Sequence, residues 1–170
     1  MDTIVIGGEF RPANCVKKEG EKVPILFGIL LGMQSFFIDR TSGDVAVQAI
    51  IDKQVAVEKD SRNPPIIIWP EGTQSNGKYL IPFKRGAFES LKAVTPVTTS
   101  FKSYGMVEYS WDCLGFFEQG VATFAGSFTT NTTTILPPLK PTEYMFDKFA
   151  DKGKSKAEIF AWVTRDIMSK

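Results

Sequence analysis

The chain alternates short apolar runs with polar breaks, and helical and strand periods can both be read in them. "VPILFGILLGMQSFFI", residues 23–38, is apolar apart from Pro24, glycines, Gln34 and Ser35. We expect a helix over residues 24–32, with its proline near the start where the missing donor is harmless, and then a strand over residues 34–39. A bilayer-spanning helix needs about 18 to 20 apolar residues. This run is shorter and interrupted, so it is either a buried helix with a core strand or a face that dips into a bilayer without crossing it. In "TSGDVAVQAIIDKQVAVEKD", Val47, Ile50, Ile51 and Val55 fall at helical spacing, with Asp44, Asp52 and Lys53 outside the stripe. That pattern predicts a surface helix packed on a sheet. "PPIIIWP", residues 64–70, is β-branched and bounded by prolines, so it predicts a buried strand.

The remaining segments continue the alternation. A helix stub and a turn at Arg11 and Pro12 are expected to precede a short strand over residues 13–17. "GAFESLKAV", residues 86–94, predicts a short helix, and "TPVTTS" another strand. "WDCLGFFEQGVATF" is apolar and aromatic, and "FTTNTTTILPPL" is threonine-rich and β-prone. The last element, "KSKAEIFAWVTRDIMSK", puts Ala157, Phe160, Val163 and Ile167 on one face and reads as a docking helix. Strands and helices alternate through the first 100 residues, which predicts an α/β fold with a mixed central sheet flanked by helices. No repeat or linker interrupts residues 1–170, so a single domain is expected.

Composition then narrows the chemistry. At 170 residues the chain can bury a real core, and its formal net charge of +1 gives no basic field for nucleic acid. Cys15 and Cys113 form no CxxC pair and no disulfide framework, so buried free thiols are expected. The first ten residues, "MDTIVIGGEF", lack the basic region and apolar core of a signal peptide. Histidine is absent altogether, which removes a Ser-His-Asp triad, a Cys-His pair and a histidine metal site from this chain. Two cysteines alone make no zinc site, so no metal is expected.

One stretch carries an order of charges that a plain turn does not need. In "IIIWPEGTQSNGKYLIPFKRGAF", Glu71, Gly72 and Thr73 follow a predicted strand, where open α/β sheets bind ligands. Gly72 removes a side chain and lets backbone approach a ligand closely. Lys84 and Arg85 add cationic donors, and Gly86 precedes a predicted helix whose N-terminus favours anions. Taken alone, the residues fit either a polar or phosphate-bearing ligand near Glu71 or a solvated loop. The loop lacks the order of a Walker A motif.

"WPEGTQSNGKYLIPFKRGAF" resembles the Pro-Glu-Gly-Thr block of the glycerolipid acyltransferases, which include the lysophosphatidic acid and lysophosphatidylcholine acyltransferases. "FFIDR", residues 36–40, resembles the family's second block, "TPV", residues 95–97, its fourth, and "ILPPLKPTEY" the tail of the lysophospholipid members. The likeness runs over nearly the whole chain, and its specificity lies in the ordered set of blocks. The family's first block is His-x-x-x-x-Asp. Asp2 matches its aspartate, while the histidine would lie five residues upstream, before Met1. We therefore expect a domain incomplete at its N-terminus, with real loss of the base as the alternative and a frayed, roleless Asp2 as the bland reading.

The resemblance implies transfer of an acyl group from acyl-CoA, or an acyl-carrier protein, to a hydroxyl of a lysophospholipid or acylglycerol phosphate. It assigns Asp2 to the catalytic block. Arg40 would bind the acceptor phosphate, while Glu71, Gly72, Thr73 and Pro96 would shape the pocket. Lys84 is either a second phosphate contact or a solvated lysine. No cofactor beyond the acyl-CoA co-substrate is implied, and association with a membrane surface of the endoplasmic reticulum is expected. A carboxylate such as Asp2 cannot replace the imidazole, because its pKa near about 4 makes it a poor base toward a hydroxyl. A non-catalytic phospholipid-binding module and an unrelated α/β protein remain the other readings at this point.

Overall fold

The computed structural model describes residues 12–17, 24–32, 34–39, 43–60, 62–73, 79–104 and 129–169. The predicted N-terminal stub, Asp2, Arg40, Cys113 and the aromatic run "WDCLGFFEQGVATF" lie outside these residues. The chain divides into two compact units, Met1–Pro70 with Arg85–Lys92 and Glu71–Lys84 with Ala93–Lys170.

The first unit holds a parallel sheet. Strand β1 (Ala13–Lys17) is central, with β2 (Phe36–Ile38) on one side and β3 (Ile66–Ile67) on the other. Cys15 is in register with Phe36, and Ala13 with Ile66. Parallel neighbours need crossovers. Helix α1 (Pro24–Gly32) supplies the first and helix α2 (Gly43–Lys59) the second. Helix α1 ends in a tight cap. Gln34 takes a φ of 52°, and the N–H groups of Gln34 and Ser35 donate to the carbonyls of Leu31 and Leu30 at 2.9 and 3.0 Å. That pairing satisfies two carbonyls the helix leaves open and turns the chain into β2. Phe27 of α1 lies against Phe37 of β2, with ring centroids 5.5 Å apart. Ala13, Leu30, Ile38, Ile50 and Phe88 form the buried core of this unit.

Helix α2 follows its predicted stripe, with Ile50 buried and Asp44, Asp52 and Lys53 exposed. The helix predicted over residues 86–94 is not there: one 3-10 turn, Arg85–Ala87, takes its place. Leu91 has a φ of 50°, which an α-helix cannot contain. The segment is fixed instead by α2. Gln54 Nε2 donates to the Ala87 carbonyl at 3.3 Å, and a Cβ on Gly86 would stand 3.1 Å from Val47 Cγ2. The expected helix N-terminus for an anion is therefore lost, and Arg85 pairs with Glu89 at 3.4 Å.

The second unit contains an antiparallel pair, β4 (Val97–Ser103) and β5 (Thr129–Ile135), with Val97 opposite Ile135 and Ser103 opposite Thr129. The ladder continues toward the chain's tail through paired hydrogen bonds between Val94 and Leu139. Helix α3 (Glu143–Lys148), which the hydrophobic pattern does not announce, starts at Thr142, whose side chain accepts the Met145 N–H. Helix α4 (Lys156–Met168) starts at Ser155, whose hydroxyl accepts the Glu158 N–H at 3.2 Å. Such caps satisfy donors that a helix start leaves open.

Ala157, Phe160 and Val163 of α4 are buried as predicted, but Ile167 is 37% exposed. It sits in the last turn, while Ile159, Ala161 and Thr164 are buried beside the predicted stripe. Packing thus reaches round more of the helix than one narrow face. Phe149 and Trp162 meet at 5.5 Å between ring centroids, and Lys156 pairs with Glu143 at 2.8 Å, a surface bond of small worth. Among the described residues no helix is long and apolar enough to cross a membrane.

Phe160 is fully buried, so Phe160→Ala is expected to lower the unfolding free energy by about 3–5 kcal/mol. Urea unfolding followed by tryptophan fluorescence measures it. A loss under about 1 kcal/mol would mean that α4 is not the core of its unit.

Candidate functional site

Glu71, Gly72, Thr73 and Lys84 all belong to the second unit, in the segment Glu71–Lys84 that joins it ahead of β4. The described part of this segment has no regular helix or strand. Its geometry therefore rests on individual contacts.

Gly72 is the first of these. Its φ of +68° lies in the left-handed region that side chains resist, and the space where a Cβ would stand is filled. Lys84 Cε, Cδ and Nζ lie 2.8, 2.9 and 3.0 Å from that point. The lysine stem thus runs across the bare backbone of Gly72 and sets its ammonium beside the residue following Glu71. Where the sequence suggests a ligand at the bare backbone of Gly72, the structure places the Lys84 side chain.

Glu71 is held from two sides. Its carboxyl pKa is raised, chiefly because burial disfavours the charged form. The Ile81 N–H, which donates to it, and the positive charge of Arg165 both oppose that rise. Arg165 belongs to α4, and its guanidinium donates twice to the Leu80 carbonyl, from Nε at 3.0 Å and from Nη2 at 2.6 Å. Thr73 is exposed next to Gly72. Pro96 is buried at the start of the hairpin, where its carbonyl accepts the Leu136 N–H at 2.9 Å. The structure thus brings Glu71, Gly72 and Lys84 together and sets Pro96 in the β4–β5 ladder.

Arg165 was not among the candidates that the sequence suggested. It lies 85 residues from Leu80, on a helix whose pattern speaks only of docking, and no local signal joins the two. Among the described residues no cluster of three acidic or cysteine side chains gathers to hold a metal ion. The site can offer a carboxylate in a partly dehydrated setting, an exposed lysine ammonium whose stem lies against Gly72, and an exposed threonine hydroxyl. Those groups suit a ligand that carries both hydroxyl and anionic oxygen.

Two outcomes check this geometry. Gly72→Ala should place a Cβ on Lys84 and strain the backbone, costing about 1–2 kcal/mol and displacing the lysine. Thermal unfolding and the Lys84 side-chain NMR signals read the two effects. For Glu71, the folded pKa exceeds the ordinary value, so the native state binds more protons than the unfolded chain between those two pKa values. Its contribution to stability is present in acid and is lost as pH rises through the folded pKa. Glu71→Gln should therefore gain thermal stability relative to the parent chain on going from acid to neutral pH. A difference in melting temperature that stays constant with pH would refute the raised pKa.

Comparison with known proteins places the chain in a family. The sequence profile described as Acyltransferase matches residues 1–101, a stretch that includes Asp2, Arg40 and the Glu71 segment. Lysophosphatidylcholine acyltransferase 2 of Mus musculus is 26% identical over 159 residues, covering 93% of this chain and 28% of that protein. Lysophosphatidylcholine acyltransferase of Drosophila melanogaster is 26% identical over 171 residues, covering 100% of this chain and 31% of that protein. The chain thus spans less than a third of the length of these two relatives. The crystal structure of the 1-acyl-sn-glycerophosphate (LPA) acyltransferase PlsC from Thermotoga maritima aligns with a TM-score of 0.50 at 19% identity. That alignment covers 94% of this chain and 58% of that one and supports the α/β fold. With more than half of its residues inside the profile, the chain belongs to the acyltransferase family, in keeping with the glycerolipid acyltransferase blocks read from its sequence.

Proposed function

We propose that these residues form the acceptor-binding part of an enzyme that moves a fatty acyl group from acyl-CoA to a hydroxyl of a lysophospholipid or acylglycerol phosphate at a membrane surface of the endoplasmic reticulum. The observation that carries this reading is the Lys84 ammonium packed on Gly72 beside the partly buried Glu71, within a chain of this family. Lys84 supplies a positive charge for the acceptor phosphate. The family resemblance assigns phosphate binding to Arg40 as well, whose guanidinium is a forked donor. Glu71 accepts from the acceptor's polar head or orders the backbone around it. The catalytic base is another group, because a carboxylate is a poor base toward an alcohol even with its pKa raised.

In the transfer itself, a histidine imidazole takes the proton of the acceptor hydroxyl while the oxygen attacks the thioester carbonyl. The tetrahedral intermediate collapses, the carbon–sulfur bond breaks, and the CoA thiolate leaves and takes the proton back from the imidazolium. The aspartate of the His-x-x-x-x-Asp block, matched here by Asp2, orients the imidazole. These 170 residues contain no histidine. The block places its histidine five residues before Asp2, and a second reading is a non-catalytic module that keeps the phospholipid site.

Two measurements separate these possibilities. The 170-residue chain, mixed with acyl-CoA and a panel of lysophospholipids, should release CoA at background rate. Adding a segment with histidine five residues before Asp2 should restore release. Failure of the histidine-bearing chain, with acceptor binding intact, would favour the binding module. In parallel, Lys84→Ala should weaken lysophosphatidic acid binding about tenfold while leaving monoacylglycerol, which lacks phosphate, unaffected. Equal effects on both lipids would remove Lys84 from the phosphate site.

A further inference from the structure

The geometry points to Arg165 as a positioning residue for Glu71, acting from α4 through the peptide group that joins Leu80 to Ile81. A peptide group is planar, so its carbonyl and its N–H point in opposite directions and turn together. Here both ends of one such plane are taken. The Leu80 oxygen accepts two bonds from Arg165, at 3.0 and 2.6 Å, and the Ile81 nitrogen of the same plane donates to Glu71. Fixing the oxygen fixes the direction of the N–H, and therefore the place of the carboxyl that it holds.

Chemistry adds to geometry. Two charge-assisted donors on one carbonyl draw electron density toward oxygen and make the attached N–H a stronger donor. The guanidinium is suited to this because its fork is planar and remains charged, whereas a lysine in its place would give a single, freely rotating point of attachment. The support behind Arg165 is firm. Its neighbours along α4, Phe160, Ala161, Val163 and Thr164, are buried, and Thr164 Oγ1 donates to the Phe160 carbonyl at 2.8 Å. A segment without regular structure is thereby tied to the most buried helix of its unit. Among the described residues, Arg165 from α4 acts on the Glu71 carboxyl by its charge, and Lys84 lies with its stem against the neighbouring Gly72.

The role in acceptor binding rests on the function proposed above, whereas the relay itself does not, and the test keeps the two apart. The parent chain, Arg165→Lys and Arg165→Gln are labelled with 15N and 13C, and the Glu71 carboxyl and Ile81 amide are followed by NMR through a pH titration. The relay predicts that Arg165→Gln moves the Glu71 midpoint upward and the Ile81 amide proton upfield. Arg165→Lys, which keeps the charge and loses the fork, should raise the midpoint less than Arg165→Gln does and still move the amide. If Arg165 only stabilises α4, both variants will melt earlier with the Glu71 midpoint and Ile81 amide unchanged, and the inference falls. Should the glutamine variant fail to fold, the Ile81 shift in the lysine variant decides alone. Lysophosphatidic acid binding then reads the consequence: Arg165→Gln and Glu71→Gln should each weaken it about tenfold, and the double variant no further, as expected for groups acting in series. Strictly additive losses would overturn the relay. Absence of binding by the parent chain would overturn the proposed function and leave the NMR result to judge the relay.

Discussion

The peptide joining Leu80 to Ile81 is held at its oxygen by a guanidinium and at its nitrogen by a carboxyl. A backbone without helix or strand has to satisfy its polar groups one at a time, because no ladder does it collectively. In Glu71–Lys84 the partners come from far along the chain and from the segment's own glutamate. The stability of the site is thereby coupled to the stability of α4. That helix is well placed for the task, since its buried residues lie on more than one side and its start is capped by Ser155.

Gly72 shows how a missing side chain makes room for another. The left-handed turn at Gly72 and the lysine stem lying on it are two uses of the same absence. A charged side chain resting on backbone gives up some freedom before any ligand arrives, so less remains to be lost on binding. Glu71 beside it is uncomfortable as an anion, because burial outweighs the help of one N–H and one distant cation. A ligand offering a hydroxyl or another donor would relieve that cost. Under the proposed function, this is a physical reason for a glutamate to line the acceptor pocket and to leave the base chemistry to an imidazole.

Much of the fold was legible from local pattern. The bounds of β1 and α1 were read correctly from apolar runs and their proline and glycine punctuation, and α2 from its stripe of Val47, Ile50, Ile51 and Val55. The misses have tertiary causes. Residues 86–94 have a helical composition, yet Leu91 takes a left-handed conformation and α2 captures the Ala87 carbonyl. Helix α3 has only six residues, too few for a period to emerge, and is marked by the Thr142 cap alone. Ile167 has the right spacing but falls in the last turn of its helix. For the site, Glu71, Gly72 and Lys84 were visible as an order of residue types, and the structure lays the Lys84 stem against Gly72. Arg165 was invisible, because a bond across 85 residues leaves no trace in sequence spacing.

The central claim is that the segment Glu71–Lys84 forms a wall of the acyl-acceptor site. Photo-crosslinking with a lysophosphatidic acid whose reactive group sits on the glycerol, followed by peptide mass spectrometry, tests it most directly. The account predicts labelled peptides drawn from Glu71–Lys84, with labelling competed away by unmodified lysophosphatidic acid. Competed labelling confined to other parts of the chain, with this segment unmodified, would contradict it.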